Sequence, residues 1–296
     1  MTENGLNIGY IGLGLMGQPI ALNLIKAGYQ LNVYARHPQN ARPLIDAGAT
    51  FFDTPKALAS NCDIIFTNVS DTSDVEEVVL GDCGIILGAK PDAIVIDMST
   101  ISPSATKNIA KQLQAKQIDM LDAPVSGGPQ GAQQGTLSIM VGGKQTIFDK
   151  VLPILNVIGK NIVYIGDHGA GQITKACNQI VVAQTIAAIS EAFILAKAAG
   201  VDPIKVRQAL LGGFASSPIL EIHGQRMLEH KFVPGFKTKL HHKDMHIVMD
   251  AAKELGLTLP GTETVTHYLD ELMQSNDGEL DSSALLVVLE KLNGVI

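Results

Sequence analysis

The 296-residue sequence predicts a doubly wound α/β domain over residues 1–165, followed by an all-α domain over residues 166–296. Short β-branched apolar runs alternate with amphipathic stretches in the first half of the chain, which is typical of βαβ units around a parallel sheet. The pattern changes near Gly166, and after Gly171 a run without Gly or Pro extends to Gly200. A chain of this length can bury a substantial core.

The predicted elements follow the chain in order. A strand over 6–11, a helix over 18–27 and a strand over 30–34 form the first βαβ unit, and further buried strands are predicted over 64–68, 93–97 and 119–123. Functional residues of such sheets lie where strands end. The run after Gly171 predicts a buried helix of about 28 residues, roughly 42 Å long. Because Glu191 and Lys197 interrupt it, we expect no membrane span there.

Composition narrows the functional classes. The formal net charge of −7 and the acidic pI of about 5.6 disfavour general nucleic-acid binding, which needs a basic surface. Cys62, Cys83 and Cys177 form no C-x-x-C pair, so reduced thiols are predicted. Residues 1–5 form a polar leader without the features of a signal peptide. We therefore expect a cytoplasmic protein.

A glycine-rich turn follows the first predicted strand and opens the first helix. Gly12, Leu13, Gly14, Leu15, Met16 and Gly17 match G-x-G-x-x-G. In this context, the glycines allow a tight turn, a close approach to a pyrophosphate and close packing of helix on strand. The turn predicts a Rossmann-type domain that binds NAD(P).

The end of the second strand bears on the choice of cofactor. In NAD-binding domains, an acidic residue at this position accepts a hydrogen bond from the ribose 2′-hydroxyl. Here residues 33–37 contain no carboxylate and include Arg36. Arg36 can bind a 2′-phosphate bidentately, so NADP(H) is favoured and NAD(H) is the alternative. Arg36 as a solvated loop charge, or stacked on adenine, stays open.

Four motifs in one order resemble the β-hydroxyacid dehydrogenase family over essentially the whole chain. They are the glycine turn with Met16; Asp122-Ala123-Pro124-Val125-Ser126-Gly127-Gly128; Gly169-Ala170-Gly171 leading to Lys175-Ala176-Cys177-Asn178; and Lys243-Asp244. The resemblance implies the two-domain fold and a homodimer or homotetramer.

The resemblance also implies roles for individual residues. Lys175 would be the catalytic acid and base, and its burial beside a helix N-terminus would lower its pKa. Asn178, three residues on, shares its helix face. The implied substrate-binding residues are Ser126, Gly127, Gly128 and Asn178. The implied cofactor contacts beyond the glycine turn and Arg36 are Asn68, Val69, Thr100 and Lys243.

The expected activity is NADPH-dependent reduction of a small carboxylate substrate, tartronate semialdehyde, to D-glycerate. Oxidation of 3-hydroxyisobutyrate and reduction of another short semialdehyde, such as succinic semialdehyde, are the enzymatic alternatives. A non-catalytic dinucleotide-binding scaffold is the alternative of another class, and its expected mark is loss of Lys175. His242 and His246 are spaced i, i+4, but no carboxylate or cysteine partner is evident in the sequence, so we expect no metal site.

Overall fold

The computed structural model describes residues 5–295, so most of the predicted polar leader and Ile296 lie outside the described residues. The chain divides into two compact units, Met1–Lys175 and Ala176–Ile296. The predicted boundary near residue 165 stays a prediction.

The N-terminal unit is built on one nine-stranded sheet. Its order is β3-β2-β1-β4-β5-β6-β8-β7, with β9 paired to β8. The strands are β1 (Asn7–Ile11), β2 (Gln30–Tyr34), β3 (Thr50–Phe51), β4 (Ile64–Thr67), β5 (Ile94–Asp97), β6 (Asp119–Asp122), β7 (Val125–Ser126), β8 (Leu137–Gly143) and β9 (Gly159–Gly166). The six predicted strand and helix regions of this unit are confirmed; β3, β7, β8 and β9 were not predicted.

The sheet is parallel from β3 to β6, and β8 runs antiparallel to both β6 and β7. Every residue of β4 and of β5 is buried, as expected for central strands covered by helices on both faces. Strand order reverses between β1 and β4, which places a crevice at the carboxyl ends of these two strands.

In the described part of this unit, seven helices accompany the sheet: α1 (Gly17–Lys26), α2 (Arg42–Asp46), α3 (Pro55–Ala59), α4 (Thr72–Leu80), α5 (Pro103–Gln114), α6 (Gly128–Gln134) and α7 (Gln145–Ile158). Polar side chains from the preceding turns cap the N-termini of several of these helices. Thr54 caps α3, Asp71 caps α4 and Ser102 caps α5, each accepting a hydrogen bond from a first-turn backbone N–H. Short 3₁₀ helices cover Pro38–Ala41 and Ile85–Leu87.

The remainder of the chain is helical. The helices are α8 (Ala170–Ala198), α9 (Pro203–Leu211), α10 (Pro218–Leu228), α11 (Thr238–Glu254), α12 (Pro260–Gln274) and α13 (Leu285–Leu292), with a 3₁₀ turn at Ser282–Ala284. The second unit has its own apolar core, in which Phe193, Met245 and Leu269 are buried. The predicted fold class, a doubly wound domain followed by an all-α domain, is confirmed.

Helix α8 has 29 residues, close to the predicted length. Of the described helices, it alone is long and apolar enough to cross a membrane, with a mean hydropathy of 1.7 over an 18-residue window that is 50% buried. Glu191 and Lys197 therefore do not keep the helix below this threshold of length and composition, because the surrounding Ala, Ile and Val residues outweigh two charges. The expectation of no membrane span stays a prediction. Core helices of soluble proteins pass the same test. The predicted burial is also partial, since Val181 and Leu195 are exposed.

Candidate active site

The glycine turn joins β1 to α1, and its glycines have different surroundings. Gly12 has a φ of +99°, and a Cβ there would lie 2.1 Å from the backbone oxygen of Asn68. A Cβ at Gly17 would lie 1.9 Å from the Gly12 oxygen. A Cβ at Gly14 would meet nothing within 4 Å. The turn therefore requires glycine at its two ends for packing, while its middle opens onto free space.

The first turn of α1 suits an anion. Within the described residues no side chain caps this helix, and its first turn contains no acidic residue. Its N-terminal N–H groups and helix dipole favour negative charge. The open position at Gly14 and this helix end together fit the pyrophosphate of a dinucleotide.

A cleft of about 770 Å³ lies at the carboxyl ends of β1, β2 and β4. This volume is within the range of small-molecule and cofactor sites. Its walls include Gly12, Leu13, Gly14, Arg36, Asn68 and Val69 among the predicted cofactor residues. Leu15, Met16, Gly17 and Thr100 do not line it, and Leu15 is exposed at the turn. The cleft is therefore lined by those predicted residues that would bind the adenosine and pyrophosphate of the cofactor.

The Arg36 guanidinium has two carboxylate neighbours. Its Nη2 lies 2.6 Å from Asp74 Oδ1 and 3.7 Å from Glu77 Oε2, and both acidic residues belong to α4 and line the same cleft. The hydrogen bond and charge of Asp74 raise the pKa of Arg36 further. The inference from residues 33–37 that no carboxylate would oppose a 2′-phosphate is therefore wrong in three dimensions, because α4 packs beside the end of β2.

The loop after β4 presents its backbone to the glycine turn. The Asn68 amide donates to the Ile11 carbonyl oxygen at 2.8 Å, and the Val69 amide donates to Ser99 Oγ at 2.9 Å. The Asn68 side chain faces the hydroxyl of Tyr10, 3.5 Å away. Main-chain amides therefore hold this loop beside the glycine turn.

Two buried polar side chains, Asp97 and Gln172, hold the loop after β5 in place. Asp97, fully buried at the end of β5, accepts from Thr67 Oγ1 at 2.8 Å and from the Ser99 amide at 3.1 Å. The Gln172 carboxamide accepts from the Ile101 amide at 3.2 Å and donates to the Ser99 carbonyl oxygen at 2.8 Å. Gln172 therefore binds the backbone on both sides of Thr100 and fixes that predicted cofactor residue.

Asp122, at the end of β6, fixes the start of α8. Its Oδ1 accepts from the Gly169 amide at 2.8 Å, and its Oδ2 accepts from the Gln172 amide at 3.0 Å. Burial raises the pKa of Asp122, opposed by these two backbone hydrogen bonds. A Cβ at Gly171 would lie 2.4 Å from the Met140 carbonyl oxygen, so the helix begins in direct contact with the sheet.

This anchoring places Lys175 in the second turn of α8. Lys175 is only 8% exposed, and its Nζ donates to the Val125 carbonyl oxygen at 2.9 Å. Val125 immediately precedes the predicted substrate residues Ser126, Gly127 and Gly128. Ser126 is half-buried in β7, while Gly127 and Gly128 are exposed and have positive φ values of 133° and 60°. The amine thus meets the backbone beside the predicted substrate turn, outside the walls of the cleft.

Two predicted residues of the helical unit are joined by a buried polar chain. Asn178 Nδ2 donates to Gln179 Oε1 at 2.7 Å, and Gln179 Nε2 donates to Asp244 Oδ2 at 2.7 Å. Lys243 Nζ lies 2.9 Å from Asp244 Oδ1. Gln179 and Asp244 are each 3% exposed, so they hold Asn178 on α8 and Lys243 on α11 in defined positions.

The histidines of α11 have a carboxylate neighbour that the sequence did not indicate. Asp270 of α12 lies 2.8 Å from His242 Nε2 and 3.0 Å from His246 Nε2. The expectation that no carboxylate accompanies them is wrong, because Asp270 is 24 residues from His246 along the chain and only helix packing brings it close.

Sequence reasoning also left four buried polar residues out of the site: Asp122, Gln172, Gln179 and Asp244. Asp122 did carry a signal, since a carboxylate at the end of an apolar strand needs buried hydrogen-bond donors. The two glutamines carried none, because glutamine on a helix is usually exposed.

Two family profiles together match most of the chain. The one described as the NAD binding domain of 6-phosphogluconate dehydrogenase matches residues 7–166. The one described as NAD-binding of NADP-dependent 3-hydroxyisobutyrate dehydrogenase matches residues 169–289.

Individual proteins resemble the chain over nearly its full length. 2-Hydroxy-3-oxopropionate reductase of Escherichia coli is 47% identical, covering 96% of this chain and 97% of the relative. 2-(Hydroxymethyl)glutarate dehydrogenase of Eubacterium barkeri is 35% identical over 99% and 98%. The structure of Mycobacterium tuberculosis 3-hydroxyisobutyrate dehydrogenase with L-serine superposes with a TM-score of 0.87 at 29% identity, covering 96% of this chain and 99% of that one. The chain therefore belongs to the β-hydroxyacid dehydrogenase family and is an NAD(P)-dependent oxidoreductase.

Proposed function

We propose that this protein reduces tartronate semialdehyde, also called 2-hydroxy-3-oxopropionate, to D-glycerate. The observation that carries the proposal is the buried amine of Lys175, held 2.9 Å from the Val125 carbonyl oxygen beside the Ser126-Gly127-Gly128 turn. The 47% identity to 2-hydroxy-3-oxopropionate reductase supports this substrate over others.

Lys175 is the proposed proton donor. When bound, the nicotinamide dinucleotide supplies the hydride that reaches the aldehyde carbon. The Lys175 ammonium gives its proton to the aldehyde oxygen, which becomes the new hydroxyl, and the amine is left neutral. Val125 and the Asp122-anchored start of α8 hold Nζ in place, so the proton is delivered from a fixed direction.

The proposed binding residues form two groups, one for the substrate and one for the cofactor. Ser126 and the exposed amides of Gly127 and Gly128 bind the substrate carboxylate, since main-chain N–H groups in left-handed turns form anion sites. Asn178 adds a side-chain hydrogen bond to the substrate, and Lys243 contributes to cofactor binding. The glycine turn holds the pyrophosphate, and Thr100 holds the nicotinamide ribose.

A second candidate reaction is oxidation of 3-hydroxyisobutyrate. The likeness to the Mycobacterium tuberculosis enzyme favours it. In that direction Lys175 starts neutral and takes the proton of the substrate hydroxyl. The same residues serve both reactions, so only the substrate decides between them. We also propose a cytoplasmic homo-oligomer, for which the exposed Val181 and Leu195 of α8 offer an apolar surface.

The test is steady-state kcat/KM for tartronate, methylmalonate and succinic semialdehydes, because specificity is a ratio of these values. We expect the highest value for tartronate semialdehyde. Lys175→Ala should lower kcat by about 10²–10⁴-fold. Lys197→Ala, an exposed lysine on the same helix, is the matched control and should retain the wild-type rate.

Binding of the dinucleotide, followed by nicotinamide fluorescence, separates a chemical defect from a folding defect. Lys175 does not line the cleft, so Lys175→Ala should bind NADPH as the wild type does. A Lys175→Ala variant that folds and turns over normally would remove this residue from the mechanism. A higher kcat/KM for methylmalonate semialdehyde would instead favour the 3-hydroxyisobutyrate reaction.

For the cofactor we propose NADP(H), with Arg36 as the ligand of the 2′-phosphate. Asp74 orients the guanidinium toward the cleft, but with Glu77 it also repels a phosphate, so the preference should be moderate. Arg36→Asp should shift the ratio of NADPH to NADH kcat/KM toward NADH. Asp74→Asn should lower the KM for NADPH and leave that for NADH nearly unchanged. If neither variant alters the ratio of NADPH to NADH kcat/KM, Arg36 does not bind the 2′-phosphate of the cofactor.

A further inference from the structure

The strongest unassigned feature is a cluster of three side chains on the helical unit, which we call the His-Asp cluster: His242 and His246 of α11 and Asp270 of α12. Their ligand atoms all lie within 4.8 Å of one another. His242 Nε2 lies 2.8 Å from Asp270 Oδ1, His246 Nε2 lies 3.0 Å from the same oxygen, and the two nitrogens lie 3.0 Å apart. We propose that the His-Asp cluster is a binding site for a divalent first-row transition metal ion such as Zn²⁺.

When Asp270 is a carboxylate anion, the three contacts cannot all be hydrogen bonds. If His246 Nε2 donates a proton to His242 Nε2, the latter has no proton to give to Asp270 Oδ1, and two lone pairs face each other at 2.8 Å. If both nitrogens carry protons for the carboxylate, two N–H groups meet at 3.0 Å. A cation at the centre resolves this conflict, because it accepts a lone pair from each of the three atoms.

The spacing also fits a metal ion. Zinc binds histidine nitrogen and carboxylate oxygen at about 2.0–2.2 Å. Two ligand atoms on one ion then lie about 2.8–3.6 Å apart for bond angles of about 90–109°. All three separations, one of 2.8 Å and two of 3.0 Å, meet this range.

The ligand types favour a transition metal over Ca²⁺ or Mg²⁺. Imidazole suits Zn²⁺, Ni²⁺ and Cu²⁺, whereas Ca²⁺ and Mg²⁺ take oxygen ligands. The side chains of His242, His246 and Asp270 are 25%, 48% and 33% exposed, so an ion and its water ligands can reach the site without a structural change. Three protein ligands leave at least one coordination position to water.

A bound ion would connect α11 to α12. His242 and His246 lie one turn apart on α11, and Asp270 comes from the neighbouring helix, so coordination joins two helices of the same core. An ion that binds only the folded protein raises its stability by mass action. The expected consequence is therefore an increase in thermal stability, independent of dinucleotide and substrate.

The test measures Zn²⁺ binding to the tag-free full-length protein by competition with a chromophoric chelator. We expect one Zn²⁺ per chain, and a loss of affinity of about tenfold or more in both His246→Ala and Asp270→Asn, since loss of even an outer-shell partner costs 10–100-fold. His267→Ala is the matched control: this histidine lies on α12, pairs with Glu271 and should bind Zn²⁺ as the wild type does.

Two further measurements do not depend on the chelator. Zn²⁺ should raise the thermal midpoint of the wild type and of His267→Ala by a few degrees, and should not raise that of His246→Ala. Co²⁺ should give the wild type visible absorption bands that His246→Ala lacks. Wild-type protein without a stoichiometric site, or equal Zn²⁺ affinity in wild type and His246→Ala, would overturn the proposal. Equal weakening in His267→Ala would also overturn it, because binding would then be non-specific.

Discussion

At the scale of single residues, the glycine turn shows how one motif combines three requirements. Gly12 adopts a φ of +99° and contacts the backbone of Asn68 so closely that no side chain fits. Gly17 lies against the Gly12 oxygen, and a side chain there would separate α1 from β1. Gly14 has neither restriction, so its lack of a side chain has no evident role in folding. The remaining explanation is a close approach by a ligand.

This difference gives a prediction for Gly14→Ala. A methyl group there meets no protein atom within 4 Å, and Gly14 has no positive φ, so the free energy of unfolding should stay near the wild-type value. The same methyl group would project toward a bound pyrophosphate, so affinity for NADPH should fall about tenfold or more. Urea denaturation and a fluorescence titration with NADPH measure the two quantities.

Gly12→Ala is the contrasting variant. Its Cβ would lie 2.1 Å from the Asn68 oxygen at a positive φ, and the strain alone should cost about 1–3 kcal/mol of stability. If Gly14→Ala binds NADPH as tightly as the wild type does, the pyrophosphate does not rest on this turn.

Lys175 illustrates how buried neighbours determine the position of an amine. Asp122 accepts hydrogen bonds from the backbone amides of Gly169 and Gln172, and the Gln172 side chain binds the backbone around Thr100. None of these groups needs to touch a substrate. Because the Asp122 carboxylate and the Gln172 carboxamide are hydrogen-bonded, the start of α8 has few alternative positions, and Lys175 in its second turn is fixed with it.

At the scale of elements, the carboxyl ends of the parallel strands collect the polar groups of the N-terminal unit. Asp97 ends β5 and Asp122 ends β6, and the two residues are partners in the register of the sheet. Asp97 is fully buried, and its Oδ2 has no hydrogen-bond partner among the described residues. A carboxylate in this environment is costly to ionise.

The end of β5 therefore predicts a pH dependence of stability. Burial raises the pKa of Asp97 to about 6, opposed by hydrogen bonds from Ser99 and Thr67, whereas an unfolded aspartate titrates near pH 3.9. Between about pH 4 and pH 6 the folded protein retains a proton that the unfolded chain has released. The contribution of Asp97 to the free energy of unfolding is complete below this window and falls by about 2–3 kcal/mol as the pH rises through it.

Asp97→Asn isolates this contribution, because asparagine does not titrate. The difference in unfolding free energy between wild type and Asp97→Asn, from urea titrations at about pH 4.5 and pH 7, should move against the wild type by about 2 kcal/mol as the pH rises. Asp53→Asn removes an exposed carboxylate and serves as the control. A difference that does not change with pH would show that Asp97 titrates alike in the folded and unfolded chains.

At the scale of the whole molecule, the chain forms two units that each have a core. In the N-terminal unit, Phe66 lies in the core on one face of the sheet, and Ile65, its neighbour in β4, lies in the core on the other face. The helical unit encloses its own cluster around Phe193 and Leu269. The alternation of side chains along β4 explains why a strand in this position must be apolar at every residue.

Prediction from sequence was accurate for elements with a strong local pattern. The strands β1, β2, β4, β5 and β6, the long α8 and the glycine turn all have apolar periodicity or turn residues that neighbouring positions reveal. The strands β8 and β9 were missed, since β8 ends in two glycines and runs antiparallel to β6 and β7, and β9 is exposed at alternate residues near an edge of the sheet.

The sequence by itself determined the fold class and the family, and it predicted the dinucleotide turn and the reactive lysine, because each depends on residues that are close along the chain or on motifs in a fixed order. Only the tertiary structure decided which polar groups meet. Asp74 reaches Arg36 across 38 residues, Gln172 reaches Ser99 across 73, and Asp270 reaches His246 across 24. Such pairs depend on how whole helices and strands pack, and local sequence patterns contain no information about that geometry.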